Sequence, residues 1–508
     1  EIPGLKAYQM ITDSDPRQEY TPAQLVDRWA KLGAELTTKH PNFPHLMCEI
    51  ETFRGCPRNN NCSFCSEGLK QRTYQRSIEG IIKEIETFFN KSWVQPEFFS
   101  KQLELFHFSK TSKIFSSFKE SGVPVWSILK LLLILPFANI PNIHALYNTR
   151  MAPETHGQKD TNYRLLSNQK INWRTILLLF VKRYLQLDSK FTSAVDNTRC
   201  LIFDDTDIKK TGKAIEGVSK IHSHVSQKFI FGYKLLVAGY WNGSVFIPVD
   251  FSFHRENKKN KINKYGLSKK EYKEQKKTKR EKGNPVVSRF KELNCKKNEV
   301  IIQMFKRINQ RKIKVDYILI DSWFTAIGLV KKLQSVNEKT HVIGMYKYNS
   351  KVIFNGKERT IKQLRKSKSG LKRSRKTGFY HMSYVGEIDG LLVKIFLTRK
   401  GKKGNWHTLI STDTSLSFNK MIEIYNIRWS IEVFFKEAKQ LLGLGKSQST
   451  NFDVQVAQMT ITMIQYLLLS LRYRMEAYET INGLFKDIKQ DYIEHKLNDR
   501  IMMVILQV

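Results

Sequence analysis

The sequence predicts a mixed α/β chain in which a strand-rich middle is flanked by helical segments. Three observations carry this reading. Residues from about 95 to 190 show helical periodicity, as in Val125 to Leu132 and Trp173 to Leu185, broken at Pro136 and Pro141. From Arg199 the pattern becomes short apolar runs: Leu201-Ile202-Phe203, Tyr233 to Ala238, and Val245 to Val249, with Asn242-Gly243 as the turn between the last two. The last hundred residues return to helix, Met459 through Leu471 being the clearest apolar segment.

The elements divide into five expected regions: 1–90, 91–195, 196–335, 336–415 and 416–508. A length of 508 residues allows for more than one buried core. The first boundary follows composition, because from Trp93 onward the chain becomes rich in Lys, Phe, Ile and Asn. Between Asp321 and residue 415 lies further β-like sequence, including Val352 to Asn355, Phe379 to Val385 and Leu391 to Leu397.

Charge narrows the partner. Lys and Arg number 85 against 47 Asp and Glu, a formal net charge of +38, and such an excess is relieved by a polyanion, with nucleic acid the leading one. Residues 255 to 282 are Lys-rich, and 362 to 376 contain no acid. Both runs read either as solvated surface or as phosphate contacts. The apolar stretches Leu131 to Leu135 and Ile176 to Val181 fall far short of the roughly 20 residues that span a bilayer, so no membrane association is expected. Glu1 through Glu19 is polar and does not resemble a signal peptide, which makes the cytoplasm the expected compartment. The absence of an initiating Met suggests part of a longer product or an interrupted reading frame.

Carboxylates stand at two points where buried strands emerge. Asp204 and Asp205 follow Leu201-Ile202-Phe203, and Asp321 follows Tyr317-Ile318-Leu319-Ile320. Strand ends are where α/β sites are built, although an Asp there is also a common helix cap or turn former. A third acid comes from the helix expected over Ile424 to Leu442. Tyr425, Arg428, Glu432 and Lys439 are offset by 3, 7 and 14 residues, which at roughly 100° per residue places them within about 60° of one face. Ile427, Ile431, Phe434, Ala438 and Leu441 lie on a neighbouring face, as in any amphipathic helix, and leave the polar stripe turned toward a cleft edge. His222 and His224 read as surface or hydrogen-bonded structure rather than metal ligands.

The pattern Tyr425-x2-Arg428-x3-Glu432-x6-Lys439 resembles the signature of the IS4 family of DDE transposases, and Leu201 to Thr206 and Tyr317 to Phe324 resemble that family's first and second aspartate motifs. The resemblance covers roughly residues 95 to 480. It implies an RNase H-like catalytic core in two parts, 196–335 and 416–508, split by a β-rich insertion over 336–415 and preceded by a helical DNA-binding region over 91–195. It also implies that Asp204, Asp321 and Glu432 hold Mg²⁺ (or Mn²⁺) for cleavage and strand transfer of DNA. The partners would be the terminal inverted repeats of an insertion element and the target DNA, with a dimer as the working assembly. The family's Asp-x-Thr/Ser form picks out Asp204 with Thr206 rather than Asp205. Tyr425, Arg428 and Lys439 would grip DNA near the cut, where a flipped base stacks on an aromatic ring. Trp323 and Trp429 read as packing residues, with Trp406 the remaining candidate to receive a base.

Cys56, Cys62 and Cys65 form a separate constellation. Three thiols within ten residues suit zinc or an iron-sulfur cluster, and with Cys48 they hold four of the six cysteines in one local region. The surrounding Glu49 to Gly55 and Ser66 to Gly68 resemble the cluster loop of radical S-adenosylmethionine proteins. That resemblance implies a [4Fe-4S] cluster and S-adenosylmethionine, here on a Cys-x5-Cys-x2-Cys spacing. Only about 25 residues follow Cys65 before the transposase-like sequence, so residues 1–90 are expected to be a truncated iron-sulfur-type fragment joined near Glu84 to Asn90 when a mobile element entered a radical-enzyme gene. The alternatives are a radical S-adenosylmethionine enzyme with a basic C-terminal extension, and a non-catalytic DNA-binding protein.

Overall fold

A computed structural model describes residues 122–147, 158–190, 198–256, 265–366, 370–475 and 478–490, together with a few short pieces before residue 107. The chain forms two compact units, residues 1–101 and 102–508. In the first, Phe53–Arg54 pairs antiparallel with Tyr74–Gln75. The cysteines at 48, 56, 62 and 65 lie outside the described residues.

The second unit is built on one twelve-stranded sheet. Its centre is β1 (Cys200–Lys209), β2 (Ser219–Ser223), β3 (Lys228–Trp241), β4 (Phe246–His254), β5 (Tyr317–Ile320) and β6 (His341–Tyr346). β3 pairs antiparallel with β1, with β2, which precedes it in the chain, and with β4, which follows it after a short turn. The turn into β4 is Asn242-Gly243: Asn242 accepts from the N–H groups of Ser244 and Val245, and Gly243 takes the positive φ that a side chain would disfavour. β5 runs parallel to β1, and β6 parallel to β5. Parallel pairing requires crossovers, supplied here by helices. The resulting order β4-β3-β1-β5-β6 is consistent with the RNase H-like core expected from sequence.

Between β6 and the signature segment the chain does not form a separate sheet. His407–Ser411 pairs with β6, Leu391–Lys400 with His407–Ser411, and Phe379–Ile388 with Leu391–Lys400, carrying the same sheet outward to the hairpin Lys351–Phe354/Lys357–Thr360. Its own small core contains Val352, Ile361, Met382, Val393, Ile395 and Ile410.

Helices cover the central strands. α1 (Val125–Ile134), α2 (Trp173–Asp188), α3 (Pro285–Glu292), α4 (Lys297–Gln310) and α5 (Ile327–Val336) precede the signature segment. α6 (Phe418–Asn426), α7 (Ser430–Gln440) and α8 (Phe452–Met475) form and follow it. Asn172 caps α2 through the N–H of Thr175, and Pro285 opens α3 at a position where its missing N–H costs nothing. α8 differs from the expectation that apolar runs fall far short of a membrane span. It is long and apolar enough to cross a bilayer, but 94% of its most apolar window is buried inside the protein. Two of its buried polar groups are matched in different ways: Gln465 donates to the carbonyls of Leu132 and Leu133 on α1, and Thr460 to that of Val456 within the helix.

Candidate active site

The register of the two parallel strands brings the first two acids together. Ile202 on β1 stands beside Leu319 on β5. Asp204 and Asp321 each lie two residues further along, on the same side of the sheet. Asp321 ends its strand by accepting, through Oδ1, the N–H groups of Trp323 (3.0 Å) and Phe324 (3.1 Å). It is therefore a turn former as well as a candidate ligand. Alternation along β1 separates Asp204 from its neighbour. Asp204 and Thr206 meet the signature helix, whereas Asp205 pairs with Lys297 of α4 (2.9 Å) and Asp207 with Lys234 of β3 (2.6 Å).

The signature segment is not one continuous helix. α6 begins at Phe418, capped by Ser417, and gives way to a 3₁₀ turn over Ile427–Trp429 before α7 starts at Ser430. Ser430 donates its hydroxyl to the carbonyl of Ile427 (2.7 Å), a local bond that supports the tighter turn. The four stripe residues still share a direction, and three of them reach the strand ends. Tyr425 donates to the carbonyl of Ile320 at the end of β5 (3.2 Å). Arg428 bridges Asp204 (3.1 Å) and Glu432 (2.7 Å) with its two terminal nitrogens. Lys439 donates to the hydroxyl of Thr206 (2.7 Å). Ile431, Phe434 and Ala438 are buried and seat the helix.

Burial and proximity set the charge state. Burial, reinforced by the neighbouring Asp321, pushes the Asp204 carboxyl up to about 7, against the pull of Arg428. Burial also raises the Asp321 carboxyl, with Asp205 adding to the effect. Burial lowers the Lys439 ammonium. Two oxygen-ligand acids that repel one another in a partly dry site suit a hard divalent cation. Glu432 supplies the same donor chemistry, but its carboxylate is held by Arg428. Among the described residues, no group of three or more His, Cys, Asp or Glu side chains is gathered for a metal.

The raised Asp204 has a measurable consequence in the absence of metal. Its ionised form is penalised in the folded state, so the penalty is absent below the unfolded pKa of about 4, grows as pH rises, and is complete above about 7. Asp204→Asn is therefore expected to stabilise the metal-free fold by on the order of 1–3 kcal/mol above pH 7 and by little below pH 4. Melting temperatures of both proteins across pH 4 to 8 in chelator would check this.

Two tryptophans depart from the packing role expected of them. Trp323, two residues after Asp321, is 70% exposed, and Trp429, next to Arg428, is 61% exposed. Trp406 is the one that packs, against the small core of the outer strands and under the guanidinium of Arg399 (4.9 Å). The rings of His222 and His224 lie edge to face at 5.1 Å. Lys297 was not legible as a site neighbour, being one lysine in a strongly basic chain. Nor was Lys210, which is buried and donates to the carbonyls of Gly445 and Ser447 and to Gln455, tying the end of β1 to the loop after α7.

Comparison with known proteins bears on this arrangement. The transposase DDE domain matches residues 196–468, more than half of the chain, a span containing every strand of the twelve-stranded sheet and the signature residues above. An uncharacterized protein of Methanocaldococcus jannaschii is 40% identical over 78 residues, 14% of each chain. Another, from Archaeoglobus fulgidus, is 40% identical over 65 residues, 13% of this chain and 12% of that protein. The chain thus spans about one-seventh of the length of these curated relatives. A cryo-EM structure of the piggyBac transposase synaptic complex with hairpin DNA is similar at 12% identity over 74% of this chain and 72% of that one, with a TM-score of 0.38, too low to bear on the site. On the domain match, the chain belongs to the family of transposases that carry a DDE domain.

Proposed function

We propose that the protein is an IS4-type transposase that cuts DNA at the ends of an insertion element and joins the freed end to target DNA, with Asp204, Asp321 and Glu432 as its catalytic acids. The observation that carries this reading is the Arg428 bridge, which ties Asp204 on β1 to Glu432 on α7 beside Asp321 at the end of β5. Asp204 is preferred over Asp205 because it faces the signature helix, while Asp205 is engaged by Lys297. A divalent ion, Mg²⁺ or Mn²⁺, held by the three acids would supply activation of the attacking oxygen and stabilisation of charge at phosphorus.

The chain's own residues orient the substrate. Arg428 presents a planar fork suited to two phosphate oxygens, and Lys439 a point charge. Tyr425, anchored to the Ile320 carbonyl, fixes the approach of α6 to β5. Trp323 and Trp429 offer exposed rings beside these groups, suited to stacking an unpaired base at the cut. Replacing either Trp by Ala is expected to lower cleavage while duplex binding is retained, with a loss of about 1–3 kcal/mol per stacked base. Fluorescence of 2-aminopurine at the terminal nucleotide would report it, and unchanged emission in both variants would remove the stacking role.

The protein is further proposed to act as a dimer in the cytoplasm, with residues 1–90 a radical S-adenosylmethionine-like remnant and 91–195 a DNA-binding region. The test is incubation of the full chain with labelled terminal-repeat DNA in Mg²⁺ or Mn²⁺. The expected result is metal-dependent nicking at the repeat end, and binding without cleavage under every metal condition would overturn the reading.

A further inference from the structure

A second basic feature lies apart from the carboxylates. The amino-terminal ends of α2 and α3 and the carboxyl-terminal part of α4 enclose a cleft of about 480 Å³. Arg174, Arg289, Arg307 and Arg311 line it, and no acidic residue does. Two acids stand behind the arginines. Asp250 of β4 is fully buried and accepts from Arg174 (3.0 Å) and Arg307 (2.7 Å), and Glu292 accepts from Arg174 (2.8 Å). Four positive charges against two negative leave an excess of two.

Arg289 is the unusual member. It is 5% exposed, and its guanidinium lies over the ring of Phe251 at 4.1 Å. Its Nη1 donates to the Phe251 carbonyl, and Asp250 and Glu292 are each 3.6 Å from that nitrogen. Nε and Nη2 have no hydrogen-bond partner among the described residues. A buried charged donor left in this state is unfavourable, and an acceptor on a ligand would relieve it. Arg311 lines the cleft in partial exposure and makes no ion pair among the described residues. Thr175 and Ser288 add hydroxyls to the lining, and α2 and α3 begin there with their positive dipole ends, while α4 brings its carboxyl-terminal end with Arg307 and Arg311.

We propose that this cleft is a phosphate-binding site. The guanidinium cluster matches a tetrahedral phosphate anion, since an excess of positive charge and several planar forks suit phosphate oxygens, in the singly charged diester of a strand as in free phosphate. The phosphate comes either from the backbone of a nucleic-acid strand or from a free phosphate. The site does not depend on strand cleavage, so a protein that fails to cut DNA can still show it.

The test compares the full chain with Arg311→Gln and Arg289→Met. Melting temperature is followed against inorganic phosphate, with chloride at matched ionic strength as the control, and binding of a duplex lacking any terminal repeat is followed against salt. If free phosphate is the ligand, phosphate raises the melting temperature of the parent protein and this shift is lost in both variants. If the strand backbone is the ligand, phosphate alone gives no shift, and Arg311→Gln flattens the slope of log K against log salt by roughly 0.9. Should Arg289→Met fail to fold, Arg311→Gln carries both measurements. Phosphate shifts and salt slopes that are the same in parent and Arg311→Gln overturn the proposal.

Discussion

Asp204→Asn, Asp321→Asn and Glu432→Gln are each expected to reduce cleavage of terminal-repeat DNA by at least about 10³-fold while leaving binding intact, because groups that act as a unit fail together. The shape of each side chain is kept, so folding is not the cause. Arg428 contacts Asp204 and Glu432 at once, which couples two of the three positions and predicts strong non-additivity. A double variant should be scarcely slower than either single one. Asp205→Asn is the internal control: it removes the Lys297 pair on the other face of β1 and should keep most of the activity. Gel assays of the purified variants in Mg²⁺ and Mn²⁺ decide the matter. Full activity of Glu432→Gln would remove the assignment, because Glu432 is the acid that shares the stripe with Tyr425, Arg428 and Lys439.

Asp250→Ala is expected to be the most damaging single change to stability, lowering the unfolding free energy by about 3–5 kcal/mol, as removal of one partner from a buried ion network does. Burial by itself would raise the Asp250 carboxyl, but Arg174, Arg307 and Arg289 together hold it well below the usual carboxylate range. The contribution is therefore present above pH about 4, the unfolded value, and is lost only as pH falls below it. Burial and the Arg174 charge bring the Arg289 guanidinium down to about 9, so removing the carboxylate leaves these cations facing one another. Urea denaturation at pH 7 should show the loss. The exposed pair Lys420 and Glu423 provides the contrast, since breaking it should cost only about 0.2–1 kcal/mol or nothing measurable.

Much of the site was readable along the chain because its parts are local. The apolar runs before Asp204 and Asp321 are buried strands, and the spacing of Tyr425, Arg428, Glu432 and Lys439 does bring those side chains onto one side of the segment. What escaped was non-local. β3 runs from Lys228 to Trp241, well beyond the apolar stretch Tyr233 to Ala238, because pairing with β1, β2 and β4 extends it in both directions. The β-like residues between Asp321 and 415 were visible as strands. Their addition to the edge of the central sheet depends on His407–Ser411 meeting β6, some 60 residues away. α8 was seen only in part, since Gln455, Thr460, Thr462, Gln465 and Ser470 interrupt its apolar pattern, and Gln455, Gln465 and Ser470 find partners elsewhere in the fold. The exposure of Trp323 and Trp429 has no sequence signal, because a tryptophan beside an apolar run most often packs.

The two faces of β1 make the site sensitive to phase. Asp204-Asp205-Thr206-Asp207 places three acids in four residues, yet only every second side chain reaches the signature helix. Deleting a single residue from Leu201-Ile202-Phe203 would leave every acid in the sequence and still invert the strand. Asp205 would then take the place of Asp204 before Arg428, Thr206 would replace the acid facing Lys297, and Lys439 would meet Asp207 in place of a hydroxyl. A carboxylate would still face Arg428, but Lys297 would lose its acid and Lys439 its hydroxyl, so the length of the apolar run before Asp204 is as much a part of the site as the acid itself.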